Sequence, residues 1–350
     1  MRIAIIAPPW VPVPPPAYGG TESVIDGLAR GLRAAGHDVF LFATGDSTTP
    51  VERGHLYDRA LGVVEQGQDA ERLHVEAAYR HPGVRSADIV HDHTLVGPAY
   101  GAVHAERPIV TTAHGPFRSE CSPFYAAAAT ARVPVIAISQ HQASTAAGLL
   151  PVATVIHHGI DVDAIRPSRH HGGYVVFLGR VHPDKGVAPA ARIARAADVP
   201  LVIAAKMREP LERQYFDAEV RPLLGGDIEF IGEVGTTMKY TLLQGALALL
   251  NPIEWDEPFG MVMIEALACG TPVVAPPVAS VPELVTDGVT GIVGPTADLV
   301  GRLAAAADLD RLTCRADAEA RFSLVRLALD HTRFYEHVIE REQPATAVAQ

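Results

Sequence analysis

Cysteine and long apolar runs are scarce in this chain, and each scarcity excludes a class of protein. The 350 residues include three cysteines, Cys121, Cys269 and Cys314. An odd number of widely spaced cysteines is neither a disulfide framework nor a metal–thiolate motif, and it fits a reducing cytosol. No stretch approaches the ~18 apolar residues of a membrane span, and the first apolar run, Ile3 to Ala7, is too short for a signal peptide. The sequence predicts a cytoplasmic protein without integral membrane association.

Positive charge is also scarce. Aspartate and glutamate total 40 against 29 lysines and arginines, which gives a net charge of -11. This balance disfavours nucleic acid or an anionic membrane surface as the main partner, so an anionic substrate must be held by local cations. Only Lys185, Lys206 and Lys239 are lysines, and a lysine that persists in an arginine-rich chain is a candidate for chemistry.

Two common nucleotide motifs are missing from the sequence. There is no glycine triplet with dinucleotide spacing and no P-loop that ends in Gly-Lys-Ser/Thr. Nicotinamide-dependent and nucleoside triphosphatase functions therefore lose their main support.

The length and the hydrophobic pattern predict two α/β domains. A chain of this length fits two domains of roughly 150 residues each. The apolar run Ile3–Ala7 predicts a buried strand. The prolines that follow exclude a helix until Gly19-Gly20. A helix capped by Thr21 is then predicted before the strand Val39–Ala43. The alternation then continues along the chain, with further strands predicted at 89–90, 109–112 and 134–138, and a second series after Val155-Ile156 has strands predicted at 175–178, 201–204, 229–231, 248–250 and 273–274.

Two consecutive series of this kind predict two Rossmann-like, doubly wound domains with ligands at the carboxyl ends of the strands. We place the first domain at residues 1–160 and the second at 161–323. A helix at 324–341 could pack back on the first domain, and 342–350 is predicted to be a disordered tail.

The segment from Glu254 to Val274 contains the strongest motif. Pro258 and Gly260 mark a loop that enters a helix, and Gly270 ends it. Backbone N–H groups at a helix start attract a phosphate, and those concerned here belong to Gly260, Met261 and Val262. Glu257 and Glu265 would serve different parts of an elongated ligand, although a capping carboxylate and a solvated helix face explain such a pair equally well.

A second segment supplies cations. The predicted strand Val175–Leu178 ends in Gly179-Arg180, and a short loop with Pro183 and Gly186 places Lys185 near the same sheet edge. Arginine can grip a phosphate through two nitrogens and lysine adds a compact charge, so together they can neutralise a diphosphate. Taken alone, the same segment also fits an ordinary basic loop without a binding function.

Together these segments resemble the retaining glycosyltransferases of family four, which have two Rossmann-like domains facing across a cleft, the GT-B architecture. The resemblance runs from Met1 to about Pro295. It also includes Gly19-Gly20, His114-Gly115 and His158-Gly159-Ile160-Asp161.

The resemblance implies an acceptor side in the first domain, a donor side in the second, and roles for these residues. Arg180 and Lys185 would hold the donor diphosphate, Glu257 would face the donor sugar, Glu265 would bind the ribose, and His114 would contact the transferred sugar. The resemblance thus implies that the catalytic residues are Glu257, His114, Arg180 and Lys185. Residues implied to bind the donor are Gly19, Gly20, Arg180, Lys185, Val234, Met238, Phe259, Gly260, Met261, Val262 and Glu265. From the residues alone, His114 is also what a hydrogen-bonded histidine at a strand end looks like, and Met238 fits a core helix as well as a nucleobase pocket.

Possible metal ligands do not complete a site in the sequence. Asp161 with Asp163 and Asp308 with Asp310 have the spacing of a metal-binding pair, but they fall at the domain crossover and in an Ala-rich helical stretch. His91-Asp92-His93 offers two imidazoles without a third ligand, and we assign Asp92 and His93 to a loop on the acceptor side. We therefore expect no metal and no cofactor.

The residues and the resemblance together predict an enzyme that moves a hexose from a nucleotide diphosphate sugar, with UDP-glucose as the first candidate, onto an acceptor hydroxyl. The resemblance implies that the configuration is retained. A nucleotide-sugar epimerase of the same architecture and a catalytically silent nucleotide-sugar-binding protein are the alternatives. The expected partners are the sugar donor and a small-molecule or glycan acceptor.

Overall fold

The structure is a computed structural model that describes residues 1–17, 19–62 and 67–342. The chain divides into two compact units. Unit 1 consists of residues 1–159 together with the segment that starts at Leu324, and unit 2 is Ile160–Ser323. Residues 343–350 of the predicted tail lie outside the described residues. No helix in the described part of the chain is long and apolar enough to cross a membrane.

Unit 1 is built on a parallel sheet. Within the described residues the sheet has seven strands in the order β3-β2-β1-β4-β5-β6-β7. The strands are β1 (Arg2–Ile6), β2 (Asp38–Ala43), β3 (Glu52–His55), β4 (Ile89–Asp92), β5 (Ile109–Thr112), β6 (Val135–Ala137) and β7 (Thr154–Val155). Its helices are α1 (Gly20–Ala34), α2 (Gln68–Arg80), α3 (Pro82–Arg85), α4 (Gly97–His104), α5 (Ser122–Thr130) and α6 (Gln140–Thr145).

The continuous apolar run of β1 explains why this strand is buried on both faces. Ile3 and Ile5 pack into one hydrophobic core with Ile25 and Leu28 of α1. Ala4 and Ile6 pack into a second core on the opposite face of the sheet. Successive side chains of a strand point to opposite faces, so only an all-apolar strand can serve both cores.

Unit 2 repeats this architecture with a smaller sheet. Six parallel strands are found among the described residues, in the order β10-β9-β8-β11-β12-β13. They are β8 (Val175–Arg180), β9 (Leu201–Lys206), β10 (Ile228–Phe230), β11 (Ala248–Leu250), β12 (Val273–Ala275) and β13 (Gly291–Val293). The α-helices are α7 (Val187–Ala196), α8 (Pro210–Tyr215), α9 (Thr236–Gly245), α10 (Met261–Ala268), α11 (Val281–Leu284), α12 (Thr296–Arg302) and α13 (Arg311–Phe322).

The last helix, α14 (Leu324–Glu342), belongs to unit 1 although it follows unit 2 in the chain. It packs on α1, where two glycines allow a close approach. A Cβ atom on Gly27 would lie 2.9 Å from Cδ2 of Leu324, and one on Gly31 would lie 2.9 Å from the Leu324 carbonyl oxygen. Tyr335 of α14 is completely buried in the core of unit 1.

The predicted fold class, two doubly wound α/β domains, is confirmed. One helix start was predicted wrongly. We expected Thr21 to cap α1, whereas the helix begins at Gly20 and Gly19 occupies the capping position without a side-chain bond. The hydroxyl of Ser23 donates a 2.7 Å hydrogen bond to the Gly19 carbonyl, so a serine inside the helix bonds to its first turn.

Candidate active site

The loop after β8 is fixed against the loop after β11. A single 3-10 turn, Pro183–Lys185, ends at Gly186, whose φ is +76°. A Cβ atom at Gly186 would lie 2.0 Å from the Pro252 carbonyl oxygen, so only glycine fits there. The N–H of Glu254 also donates to the Asp184 carbonyl at 3.1 Å. The carboxyl ends of β8 and β11 therefore present their loops as one surface.

Lys185 and Glu257 meet on this surface. The ammonium of Lys185 forms an ion pair with Oε2 of Glu257, and the indole N–H of Trp255 donates to the same oxygen at 3.0 Å. The ammonium also lies 4.5 Å from the centroid of the Trp255 ring. The structure thus brings together a cation and a carboxylate that the sequence places 72 positions apart.

Helix α10 begins beside this cluster. Gly260 has φ +92° and precedes the first helical residue, Met261, while Phe259 is buried. A Cβ atom at Gly260 would lie 2.4 Å from Cε of Met263. The first N–H groups of a helix have no partner four residues earlier in the chain. The segment Gly260, Met261 and Val262 is therefore a helix start that follows directly on the loop carrying Glu257, as the sequence predicts.

Glu265 lies one turn further along α10 and is paired with a lysine that we did not assign. Nζ of Lys239 lies 2.5 Å from Oε1 of Glu265. The same ammonium lies 5.0 Å from the ring centroid of Tyr240. The scarcity of lysine was the signal that could have identified Lys239, since its position on α9 carries no motif of its own.

Arg180 ends β8 directly beside Lys206, which ends β9. The two residues are register partners in the parallel sheet. Oε1 of the buried Glu212 lies 3.7 Å from Nε of Arg180 and 3.8 Å from Nζ of Lys206. Neither Lys206 nor Glu212 was predicted as part of the site, because their proximity to Arg180 depends on the pairing of β8 with β9.

The region predicted to bind the nucleobase is open. Met238 lies in the first turn of α9 and is 52% exposed, while Leu243 of the same helix is completely buried. Val234 is half-buried just before the helix. The alternative that Met238 belongs to a core helix is therefore wrong, although its contact with a nucleobase stays a prediction.

In unit 1, His114 is held by a second histidine. Nδ1 of His93 lies within 2.8 Å of Nε2 of His114, so one imidazole donates a hydrogen bond to the other. His93 follows β4 and His114 follows the neighbouring strand β5. Both residues therefore lie at the carboxyl edge of the sheet. The ring of His158 stacks on that of His114, with centroids 5.4 Å apart.

These residues belong to a histidine cluster, which we define as His91, His93, His114, His158 and His331; His114 is partly exposed and the other four are buried. Burial lowers the pKa of His114 and of His331 to about 4. Burial also holds the pKa values of the other three well below the ordinary histidine value. The cluster is therefore uncharged at neutral pH, and His114 acts as a neutral hydrogen-bonding group.

Asp92 is completely buried at the end of β4. Its Oδ2 accepts a 2.9 Å hydrogen bond from Tyr79, and its Oδ1 accepts from the backbone N–H and hydroxyl of Thr94. Burial raises its pKa to about 6. Asp92 therefore belongs to the domain that we assigned to the acceptor, but its buried carboxyl group is at odds with our expectation that it lines a binding surface.

Gly19 and Gly20 open α1, so they lie at a helix start as the sequence predicts. A Cβ atom on Gly19 would lie 2.7 Å from Cβ of Pro15, whereas at Gly20 no atom of the described residues lies within 4 Å of such a position. Gly20 therefore has open space for a close approach. Contact with a phosphate stays a prediction for both glycines.

One aspartate of each pair that we weighed as metal ligands serves as a local cap. Oδ1 of Asp161 accepts from the N–H of Ala164 at 3.2 Å. Asp310 accepts from Leu312 and Thr313 at the start of α13. Within residues 1–17, 19–62 and 67–342, no group of three or more histidine, cysteine or acidic side chains is arranged to hold a metal ion.

Two family models match the chain, and each corresponds closely to one series of strands. The model described as Glycosyltransferase Family 4 matches residues 18–164. The model described as Glycosyl transferases group 1 matches residues 172–309. Together the two models span both units, including the loops that carry His114, Arg180, Lys185 and Glu257.

The chain belongs to the glycosyltransferases of family four. This glycosyltransferase is an enzyme with the GT-B fold. It is 28% identical over 335 residues to the phosphatidyl-myo-inositol mannosyltransferase of Mycolicibacterium smegmatis, covering 87% of this chain and 83% of that one.

Solved structures give the same fold. A glycosyltransferase involved in avilamycin A biosynthesis superimposes with a TM-score of 0.74 at 25% identity, over 97% of this chain and 98% of that one. An Anabaena protein crystallised with UDP and glucose superimposes with a TM-score of 0.73 at 19% identity, over 96% and 99% of the two chains.

Chemically, the carboxyl edge of unit 2 is suited to a leaving group that gains negative charge. Two cations, Arg180 and Lys185, lie at the end of one strand and in the loop that follows it, and the start of α10 follows β11. Preorganised cations and helix-start amides stabilise developing charge more than they stabilise a neutral ground state. The carboxyl edge of unit 2 therefore offers two cations and a helix start to an anionic group.

Proposed function

We propose that this glycosyltransferase transfers a hexose from a nucleoside diphosphate sugar to an acceptor hydroxyl, with retention of configuration and without a metal ion. The observation that carries the proposal is the ion pair between Lys185 and Glu257 beside the start of α10. In the donor complex, Lys185 and Arg180 face the diphosphate. The N–H groups of Gly260, Met261 and Val262 add partial positive charge from the helix start.

The chemistry follows from where charge develops. As the bond between the sugar carbon and the phosphate oxygen breaks, electrons move onto the diphosphate, and the fixed cations offset that charge. The acceptor oxygen then bonds to the sugar carbon and its proton passes to the departing phosphate. Arg180 and Lys185 supply the charge that a divalent ion supplies elsewhere, which is why we expect no metal requirement.

Glu257 positions the sugar. Its carboxylate is held by Lys185 and Trp255, so its orientation is fixed before the donor arrives. An oriented carboxylate accepts hydrogen bonds from sugar hydroxyl groups without losing side-chain entropy on binding. We assign it this binding role and not that of a nucleophile.

Glucose and mannose are the first hexoses to test. The Anabaena protein of the same fold was crystallised with UDP and glucose. The Mycolicibacterium relative is named as a mannosyltransferase that acts on phosphatidyl-myo-inositol. Inositol-containing alcohols are therefore the first acceptors to try.

His114, a neutral imidazole at the carboxyl edge of unit 1, contributes a hydrogen bond to the transferred sugar.

A thermal-shift panel of UDP, GDP and ADP, each alone and with glucose or mannose attached, identifies the donor, since a ligand that binds only the folded protein raises its melting temperature. The matching sugar nucleotide is then incubated with inositol acceptors, and the anomeric configuration of the product is read by NMR in buffer with and without EDTA. Transfer with retention that is insensitive to EDTA supports the proposal. Inversion, loss of activity in EDTA, or release of an altered free sugar contradicts it.

A further inference from the structure

Two like charges lie side by side at the carboxyl edge of unit 2. Arg180 and Lys206 are paired residues at the ends of the neighbouring parallel strands β8 and β9. Adjacent cations repel each other, so without a counter-charge the flexible side chains would separate into solvent. A buried carboxylate between them removes this repulsion.

That carboxylate belongs to Glu212 and is fixed by the backbone of α8. Its side chain is 2% exposed. Oε2 accepts the N–H of Arg208 at 2.7 Å and that of Glu209 at 3.0 Å, which forms a capping box at the start of the helix. These two bonds leave Oε1 facing Nε of Arg180 at 3.7 Å and Nζ of Lys206 at 3.8 Å.

The group is a carboxylate at neutral pH. Burial by itself would raise the pKa of Glu212, but the N–H groups of Glu209 and Arg208 and the charges of Lys206 and Arg180 hold it below its usual value. In the described part of the chain, Oε1 of Glu212 and Nε of Arg180 are both buried without a hydrogen-bond partner. The Arg180 side chain is 33% exposed, so its guanidinium remains accessible to a ligand.

We propose that Glu212 is a positioning residue that holds the guanidinium of Arg180 for the diphosphate of the donor. The inference rests on the proposed function and deepens it. The helix cap fixes the carboxylate, the carboxylate attracts the Nε side of the guanidinium, and the terminal nitrogens are left for phosphate oxygens. A guanidinium that is oriented before binding loses less entropy when it grips a phosphate.

A purely structural role predicts a different result. If Glu212 only caps α8, its loss lowers stability and affects every ligand alike. If it positions Arg180, its loss weakens ligands that carry a diphosphate and leaves nucleosides unaffected. The comparison of a nucleoside diphosphate with its nucleoside therefore separates the two roles.

Glu212→Gln is the test variant, because an amide oxygen can still accept the two capping N–H groups while the charge is lost. Glu209→Gln is the matched control. Glu209 lies in the same capping box and 3.4 Å from the same Lys206, but its side chain is 59% exposed. Arg180→Gln and the double variant with Glu212→Gln complete a double-mutant cycle.

Calorimetry measures the affinity of each folded variant for UDP, GDP and ADP and for uridine, guanosine and adenosine. For the diphosphate that the wild type binds best, we expect Glu212→Gln to weaken binding about tenfold, the effect of one lost charge-assisted contact. The affinity of E212Q for the nucleoside should equal that of the wild type, and E209Q should bind both ligands as the wild type does. The effects of Glu212→Gln and Arg180→Gln on diphosphate affinity should not add up in the double variant.

Unchanged diphosphate binding in E212Q, an equal loss of nucleoside binding, or an additive cycle overturns the positioning role and leaves the proposed function intact. Absence of any nucleoside diphosphate binding by the wild type overturns both. If E212Q does not fold, Glu212→Asp takes its place, since it keeps the charge but withdraws it by one methylene group, and the same selective loss is required of it.

Discussion

Nζ of Lys239 lies 2.5 Å from Oε1 of Glu265. The other two lysines are paired in the same way, because Lys185 is bound to Glu257 and Lys206 lies 3.4 Å from Glu209 and 3.8 Å from Glu212. Every lysine of the chain is thus paired with a glutamate of unit 2.

Loss of Lys185 should abolish most turnover. We expect Lys185→Ala to lower kcat by about 10²- to 10³-fold, because one preorganised cation no longer meets the developing phosphate charge. Steady-state transfer assays with the donor from the thermal-shift panel measure the effect, and circular dichroism checks the fold. Arg192→Ala removes an exposed cation that pairs with Glu219 at the surface and is the control. Near-normal transfer by K185A would refute the diphosphate role.

Glu265 should recognise the ribose. We expect Glu265→Gln to reduce the preference for UDP over 2′,3′-dideoxy-UDP about tenfold, because a charged acceptor of hydroxyl hydrogen bonds is lost. Competition calorimetry with the two nucleotides gives this ratio. Glu219→Gln changes an exposed glutamate and should leave the ratio unaltered. A ratio that is the same in E265Q and the wild type would remove Glu265 from the ribose site.

Gly186 should be irreplaceable because of the close approach of Pro252. Gly173 also has a left-handed φ, +80°, but in the part of the chain that the structure describes no atom lies within 4 Å of a Cβ placed there. We expect G173A to lower the free energy of unfolding by about 1–2 kcal/mol through backbone strain alone. G186A should lower it by roughly a further 1–3 kcal/mol through the clash, and it should also weaken donor binding. Equal effects of the two substitutions in denaturant titrations would contradict the packing of the two loops.

Acid should destabilise unit 1 before unit 2. The histidine cluster has pKa values below the ordinary value, so between about pH 6.5 and 4 the unfolded chain binds protons that the folded unit excludes. Stability is therefore complete above that window and falls as the pH drops through it. The carboxyl groups of Glu71 and Asp92 have raised pKa values, about 7 and about 6, so their protonation stabilises the folded unit as the pH falls. These two groups are fewer than the five histidines of the cluster.

The free energy of unfolding of unit 1 should fall by about 1.4 kcal/mol per pH unit for each histidine whose effect no carboxyl group offsets. Hydrogen exchange by pulse labelling, after equilibration at pH 7 or pH 5, distinguishes the two units. Peptides from β4 and β5 should lose protection at the lower pH while those from β8 and β9 keep it. None of the unit 2 histidines, His170, His171 and His182, is buried. Earlier loss of β8 and β9 would contradict the prediction.

The sequence predicted most strands because a buried parallel strand needs a continuous apolar run. It missed β3, whose residues Glu52–His55 have no such run, since an edge strand with exposed side chains leaves little hydrophobic signal. It also missed the short strands β7 (Thr154–Val155) and β13 (Gly291–Val293), because runs of two or three residues carry little periodic signal. In the site, Lys185 and Glu257 carried recognisable motifs. Glu212 and Lys239 did not, because their roles depend on which strands and helices become neighbours.

In unit 1, too, the sequence did not show which residues become neighbours in the fold. His91 and His93 were noticed as a pair on one strand face, and their ring centroids lie 3.9 Å apart. His331 reaches them from α14, with its ring centroid 5.5 Å from that of His91. No local pattern connects a histidine near the end of the chain to β4. The histidine cluster therefore became visible only with the fold.

The most direct test of the account is a crystal structure of the protein with UDP-glucose, or with the donor that the thermal-shift panel selects. The account predicts the diphosphate within hydrogen-bonding distance of Arg180, Lys185 and the N–H groups of Met261 and Val262, with the ribose on Glu265. A donor bound with its diphosphate away from the carboxyl edge of the unit 2 sheet would contradict it.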